Sequence, residues 1–305
     1  MKIRRATKSD KEEVLRFCIN TFEWGDYIDQ VWDLWYLDRS GILLVAEDEE
    51  NIIPNERRSL VIAVSHVSLC PDKERIWLEG IRVNPNYRRR SVATQLLSKM
   101  ISYGKEQGAK EASAMVADTN IASQLMMERN GFEVISKWSY YSIDNIPKIV
   151  DKVKKPRSKV ATLKDTEMIG NYLRRSEVFK SAGETYVNSW RWYPLDLCSS
   201  TLTDLIKNEK VLLTGNDPIE GIAIINKDKL WNQKKNNSFQ IVYLDAPSVK
   251  ILEDLITLVI NLIHSDNALY DRIQIYSPQT NYFSLALKEL IQEWSEQFLL
   301  YRREI

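Results

Sequence analysis

No run of apolar residues in this 305-residue chain approaches the ~20 that a membrane-spanning helix requires. The most apolar stretch, residues 249–263, is broken by Glu253 and Asp254 and reads as a core helix. The opening MKIRRATKSD holds no apolar segment of the kind that directs secretion, so the expected compartment is the cytoplasm and no membrane is expected as a partner. Cysteine is scarce. Cys18, Cys70 and Cys198 stand far apart, in no metal-ligand or disulfide spacing, and are expected to be small buried apolar residues rather than a metal site. An excess of one charge is also missing: 42 Lys and Arg offset 42 Asp and Glu, leaving a formal net charge of +0. That removes the composition argument for nucleic acid or an anionic surface. What is present is globular: 44% hydrophobic and 28% charged residues, in a chain long for one domain and comfortable for two of roughly 150 residues.

Helix-like and strand-like patterns alternate along the first half. Residues 2–6 read as a short strand, and Ser9-Asp10 as the cap of a helix to residue 20 with Glu12 and Glu13 in its first turn. β-branched apolar runs over 42–47, 60–69 and 76–83 read as strands of one sheet. Apolar residues at 92, 93, 96, 97, 100, 101 and 103 give a one-sided helical stripe that Gly108 can end. A strand over 111–117, a helix from Asn120 to Asn130 stopped by Gly131, and a strand over 132–143 follow. The basic, Pro-containing stretch DKVKKPRSK, residues 151–159, reads as a linker, with the domain boundary expected over 147–158. Beyond it a similar order recurs: a strand over 160–163, a helix from Asp165, strands over 211–213, 219–225 and 239–244, a helix from Pro247, a strand over 272–276, a helix over 281–292 and a closing strand over 298–302. Trp190, Trp192 and Tyr193 echo Trp32, Trp35 and Tyr36, which supports an internal repeat.

The strand over 76–83 runs through Asn84-Pro85-Asn86-Tyr87 into Arg88-Arg89-Arg90-Ser91-Val92-Ala93-Thr94 and straight into the amphipathic helix. A helix start offers unpaired N–H groups to an anion, and arginines beside it add positive charge. This stretch resembles the acyl-coenzyme A loop of the GNAT family of N-acetyltransferases: an Arg or Gln, two variable residues, Gly, one variable residue, then Gly or Ala. Ser91 stands where the family has its first glycine. The resemblance extends to Asn120, the helix after it and Gly131-Phe132, in the family's order.

Membership would imply an α/β (α+β) fold of two GNAT-like domains, 1–146 and 159–305, each with a mixed, mostly antiparallel central sheet flanked by helices. It would imply acetyl-CoA as donor and transfer of an acetyl group to a primary amine of a small molecule, peptide or protein by direct attack. Carried to this sequence, the backbone of Ile81, Arg82 and Val83 would meet the pantetheine arm, with the Ile81 N–H polarising the thioester carbonyl. Backbone groups of Arg88, Arg89, Arg90, Ser91, Val92, Ala93 and Thr94 would hold the pyrophosphate, and Asn120 would lie near the sulfur. Glu79, in Leu-Glu-Gly on the presenting strand, is the candidate base. The family's acid tyrosine falls at Met127, which cannot donate a proton, so water, Tyr140 or Tyr141 would take its place. Trp24, Glu79 and Tyr141 are the candidate acceptor contacts. Trp32 and Trp35 are expected to pack a core, and His66 to be a structural histidine.

In the second half, Asp245-Ala246-Pro247-Ser248 is a shorter connection with neither Gly nor Arg, so a degenerate domain without a cofactor site is expected, serving the acceptor cleft or dimerisation. A monomer or homodimer is expected. A non-catalytic acyl-CoA-binding or regulatory module and a structural interaction protein are the alternatives.

Overall fold

Asp10 opens the first helix by closing a ring of hydrogen bonds on the residues before it. Its carboxylate accepts from the Thr7 N–H at 2.6 Å and the Thr7 hydroxyl at 2.9 Å, and the Arg4 guanidinium grips it through Nη1 at 2.7 Å and Nη2 at 3.0 Å. Thr7 caps the 3-10 turn Lys8–Asp10, and Asp10, within the Ser9-Asp10 cap expected, is the N-cap of the α-helix that follows. Helix α1 (Lys11–Cys18) follows and stops at Cys18, whose carbonyl takes the Thr21 hydroxyl. Burial disfavours the Asp10 charge, yet Arg4 and Thr7 outweigh it and hold the carboxyl below its ordinary range. The same ring recurs in the second half: Asp165 accepts from the Thr162 N–H and hydroxyl, both at 2.8 Å, and from Lys159 Nζ at 3.0 Å.

The computed structural model describes the chain except residues 23–24, 54–57, 145–156, 189, 198–199, 227–237, 266–269, 271 and 279–291, and, among the remainder, all side chains except those at 51–53, 58, 144 and 292–296. Trp24, Cys198, most of the expected linker and nearly all of the expected helix over 281–292 lie outside the described residues. The chain forms two compact units, neither contiguous in sequence. The first comprises Met1–Met115, Ala122–Glu133 and Tyr301–Ile305; the second comprises Val116–Ile121 and Val134–Leu300.

In the first unit, strands β1 (Lys2–Arg5), β2 (Gly41–Ile53), β3 (Arg58–Leu69), β4 (Arg75–Val83) and β5 (Glu111–Ala117) lie in that order. Every pairing is antiparallel except β4 with β5. Helix α2 (Ile28–Tyr36) buries Ile28, Val31, Trp32 and Trp35, the packing role expected of both tryptophans. Helix α3 (Val92–Glu106) buries Val92, Leu96, Leu97, Met100 and Ile101, the stripe its periodicity predicts. Gly104 lets it settle on the sheet, because a Cβ there would lie 2.5 Å from Ile76 Cδ1. Helix α4 (Ile121–Arg129) ends at Gly131 with φ +75°. The chain's last residues return here: Ile305 N–H bonds to Lys110 O at 2.8 Å, and Arg303 Nη1 to Asn130 O at 2.6 Å.

The second unit contains β6 (Glu133–Asp144), a strand from the first half of the sequence, which enters the unit at Val134. It pairs antiparallel with β13 (Arg272–Pro278), and the order continues β12 (Ser238–Asp245), β11 (Gly221–Asn226), β10 (Val211–Thr214) and β7 (Ser158–Val160). Again one pairing is parallel, β12 with β13. Helix α8 (Val249–Ser265) lays Leu252, Leu255, Ile256, Val259 and Ile260 on the core, each worth roughly 1.5–3 kcal/mol when fully buried. Its Asp254 faces out to Arg157 at 2.8 Å, so the two acids in this apolar run mark a solvent face. Helices α5 (Thr166–Arg175), α6 (Glu177–Ser181) and α7 (Ser200–Lys207) and the hairpin of β8 (Thr185–Asn188) and β9 (Arg191–Pro194) complete the unit.

Two expectations are corrected. Residues 160–163 are not a strand: β7 ends at Val160, and the Thr162–Asp165 ring winds Leu163–Asp165 into a 3-10 turn. Nor do the aromatic clusters correspond, since Trp32 and Trp35 sit on α2 while Trp192 and Tyr193 sit on the β9 strand of a hairpin. Among the described residues no helix is long and apolar enough to cross a membrane.

Candidate active site

Strand β4 changes character at Leu78. Up to that residue it pairs with β5, Arg75 to Leu78 lying against Glu111 to Ala114, and there the pairing ends. On its other edge β4 continues along β3, but the register shifts between Val64 and His66, so one residue of β3 faces the bulge at Gly80-Ile81. Gly80 has φ +70°, and a Cβ there would lie 2.4 Å from the Trp35 ring. Only glycine meets both conditions. The Asn84 N–H donates to Ile62 O at 2.8 Å, so Asn84 faces β3, and by the alternation of an antiparallel ladder Val83 and Ile81 turn their N–H and C=O groups the opposite way. These are the two residues expected to contact a pantetheine arm.

The loop after β4 turns on Asn84, whose Oδ1 accepts from the Asn86 N–H at 3.1 Å. Arg88, Arg89 and Arg90 are exposed. Arg88 Nε reaches back to Val83 O at 3.3 Å, and the Arg90 guanidinium sits 5.1 Å from the Tyr87 ring centre. Arg89 and Ser91 both adopt left-handed backbone, each with φ +60°. The glycine of the family pattern thus has a conformational reason, which Ser91 meets at a cost. The first helical bond of α3 runs from Gln95 N–H to Ser91 O at 3.0 Å, so the N–H groups of Val92, Ala93 and Thr94 precede it, as the first N–H groups of any helix do. With three arginines on the approach, the loop suits a phosphate-bearing ligand.

Glu79 sits where β4 leaves β5. Its side chain is 15% exposed, and Oε1 lies 2.8 Å from His66 Nδ1. The Arg82 side chain is occupied elsewhere: Nε binds Asp26 Oδ2 at 2.7 Å, and the guanidinium lies 5.0 Å and 5.2 Å from the ring centres of Phe22 and Tyr27. Only its backbone remains for the role expected of it. Burial, aided by Asp26, pushes the nearby Cys18 thiol up to about 12, in keeping with an inert apolar cysteine.

Met127, at the family's tyrosine position, is 2% exposed, and its carbonyl accepts the N–H groups of Asn130 and Phe132. Tyr140 and Tyr141 belong to the second unit. Tyr140 stacks on Trp190 at 5.6 Å. Tyr141 lies in the apolar cluster of α8. Asn120 lies in Val116–Ile121, the segment grouped with the second unit, and its N–H bonds to Ala117 O at 3.0 Å ahead of α4. No sequence motif points to His66 as a site residue, and only the strand register joins it to Glu79.

The profile of the acetyltransferase (GNAT) family matches residues 10–132. The chain is 32% identical over 76 residues to the aminoglycoside N(6')-acetyltransferase type 1 of Salmonella typhimurium, a match covering 25% of this chain and 52% of that protein. It thus spans about half the length of the curated relatives it first matches. Among solved structures, the GCN5-related N-acetyltransferase from Sphaerobacter thermophilus superimposes with a TM-score of 0.59 at 12% identity, over 99% of this chain and 95% of that one. A tandem GNAT protein from the clavulanic acid biosynthesis pathway does so with a TM-score of 0.53 at 10% identity, over 99% and 98%. At such identities the likeness is one of fold, and it extends through both halves. Taken with the parted strands β4 and β5 and the arginine loop at the start of α3, these matches show that residues 10–132 resemble a GNAT acetyltransferase domain and that the chain shares the fold of GNAT proteins.

Proposed function

We propose that this protein is an acetyl-CoA-dependent N-acyltransferase that delivers an acetyl group to a primary amine by direct attack. The observation that carries the reading is the parting of β4 from β5 beyond Leu78, leading into the start of α3, with Glu79 at the point of parting. The donor supplies an activated acyl group and a good thiol leaving group; the chain does the rest. N–H groups from Arg88 to Thr94 hold the pyrophosphate, the Ile81 and Val83 backbone aligns the arm, and the Ile81 N–H is aimed at the thioester carbonyl. Glu79 takes the ammonium proton of the acceptor. No acid is assigned on α4, because Met127 has no proton to give. The Salmonella relative acts, by its name, on an aminoglycoside amine, which makes aminoglycosides the first acceptors to try. The second half is read as a GNAT-like domain without a cofactor site, joined through 147–158. Buried Met127 favours one other reading, a module that binds acyl-CoA without turnover.

Acetyl-CoA at about 100 times its dissociation constant is expected to stabilise the protein by roughly 2.7 kcal/mol in thermal unfolding. The aminoglycoside kanamycin, a dipeptide or spermidine should then release free thiol, and Glu79→Gln should slow release by about 100-fold or more while keeping the thermal shift. No shift with millimolar acetyl-CoA refutes both readings; a shift without thiol release selects the non-catalytic module.

A further inference from the structure

Strands β4 and β5 form a wedge that closes on its own backbone. Leu78 and Ala114 are the last residues to pair, so the strands there stand about 4.8 Å apart, and a chain seated between them would need about twice that. Further along β4 is the Ile81 N–H read as the contact to the thioester carbonyl. A pantetheine arm that meets Val83 and then Ile81 delivers its acyl end toward Glu79 and Leu78, into the narrowing wedge. Leu78 and Ala114 are 3% and 6% exposed, so side chains as well as backbone shut the apex. An acyl chain longer than a few atoms must leave the plane of the sheet. On one face, helix α3 runs back along β4 from Val92 to Gly104, where Ile76 leaves no space for a Cβ. On the other face stands Trp35.

The Trp35 indole is 4% exposed, and its six-membered ring covers Gly80: a Cβ built there would collide with Trp35 Cη2 and Cζ3. The ring is held from two directions. His66 stacks on it at 5.0 Å and an interplanar angle of 4°, and is itself 0% exposed and 2.8 Å from Glu79 Oε1. Tyr27 meets it edge-on at 6.1 Å and 85°. Behind Tyr27, the Arg82 guanidinium lies 5.2 Å from the phenol ring centre and is paired to Asp26. A core side chain so braced resists rotation, because its neighbours would have to move with it. Resting on the reading of Ile81 as the thioester contact, we propose that Trp35 is a specificity-determining residue: it walls the acyl end of the donor and restricts the transferred group to acetyl or propionyl. No step of the chemistry passes through Trp35. It selects by exclusion, where one methylene more or less in such a pocket is worth about 10- to 200-fold.

The test compares free CoA with acetyl-, propionyl- and hexanoyl-CoA in thermal unfolding, and follows thiol release with kanamycin, spermidine or a dipeptide as amine. If the acyl chain had a pocket, each CH2 buried in it would tighten binding roughly fourfold. For the parent, hexanoyl-CoA should therefore shift Tm no more than free CoA does. Its kcat/KM should lie below that of acetyl-CoA by about 10-fold or more. Trp35→Leu should make the hexanoyl-CoA shift exceed that of free CoA and narrow the kcat/KM gap by about 10-fold. Trp35→Phe, which keeps a ring on His66 and threatens folding less, should move both readouts the same way by less. The thermal readout decides even where no amine is turned over. A parental shift that grows with chain length refutes the limit while acetyl-CoA binding stands. If either variant binds acetyl-CoA and discriminates as the parent does, the wall lies elsewhere and the proposal falls. No shift with any of these ligands, free CoA included, removes the cofactor reading itself.

Discussion

The two halves of the chain build the same junction and equip it differently. In each, a strand pairs in parallel with its neighbour over four positions and then parts from it, β4 at Leu78 and β12 at Ile241. In each, the antiparallel partner carries a register shift near the point of parting, at Val64/His66 and Ile224/Ile225, and a long amphipathic helix follows. The contrast lies in the connection. Between β4 and α3 run residues 84–91 with three exposed arginines; between β12 and α8 run only residues 246–248. Where the first junction presents positive charge, the second buries Asp245 at 1% exposure with Ser176 and Tyr243 on its carboxylate. Burial raises the pKa of that acid despite hydrogen bonds from Ser176, Tyr172 and Tyr243. A parted strand therefore makes an opening, and loop length and charge decide what it suits.

The strongest way to break the contrast is to give the first junction the charge of the second. Ala93 is at the start of α3, where an acid favours the helix dipole, so Ala93→Glu should fold at least as stably as the parent. The same carboxylate repels a pyrophosphate. Acetyl-CoA affinity should fall about 100-fold, close to 2.8 kcal/mol, read as loss of the thermal shift at fixed cofactor concentration. Unchanged affinity would move the cofactor away from this helix start.

The second junction is sharpened by Asp245→Asn. An acid whose folded pKa is raised stabilises the protein fully below its unfolded value of 3.8, and that contribution fades as pH rises through the folded value. Removing the ionisable group should therefore raise stability at pH 8 relative to the parent by roughly 1 kcal/mol and leave pH 3 nearly unchanged. Thermal unfolding at the two pH values measures it; a loss at pH 8 would mean the carboxylate is a needed anion rather than a buried acid.

Local chemistry writes much of this into the sequence. The α3 stripe and the Asn-Pro loop are legible because helical periodicity and turn residues act over short range. The repeat is legible too, but in other residues than the tryptophans. Ala6-Thr7 with Asp10 and Ala161-Thr162 with Asp165 carry the same spacing and the same capping ring, whereas Trp32 and Trp192 share only a residue type. Register is not legible. The bulge that sets His66 against Glu79, and the entry of β6 and of Tyr301–Ile305 into units built mainly from the other half of the chain, depend on pairings between distant segments that no local pattern encodes.

Ser91 departs from the family pattern, and its backbone shows the departure to be a strained fit rather than a defect. Its φ of +60° costs a residue with a Cβ about 1–2 kcal/mol, and glycine would remove that cost while giving back roughly 0.5–1 kcal/mol in unfolded-state entropy. The net expectation for Ser91→Gly is a gain of about 0.5 kcal/mol, a small upward shift in Tm measured without ligand. The second half, with no such loop, offers no equivalent gain at Ser248, whose hydroxyl accepts from the Ile251 N–H at 3.3 Å; Ser248→Gly should lose stability instead. Acetyl-CoA then reports on the side chain itself. If Ser91 serves through backbone alone, Ser91→Gly binds as tightly as the parent or tighter, and weaker binding would mean that the Ser91 hydroxyl touches the phosphates and compensates for the glycine it replaced.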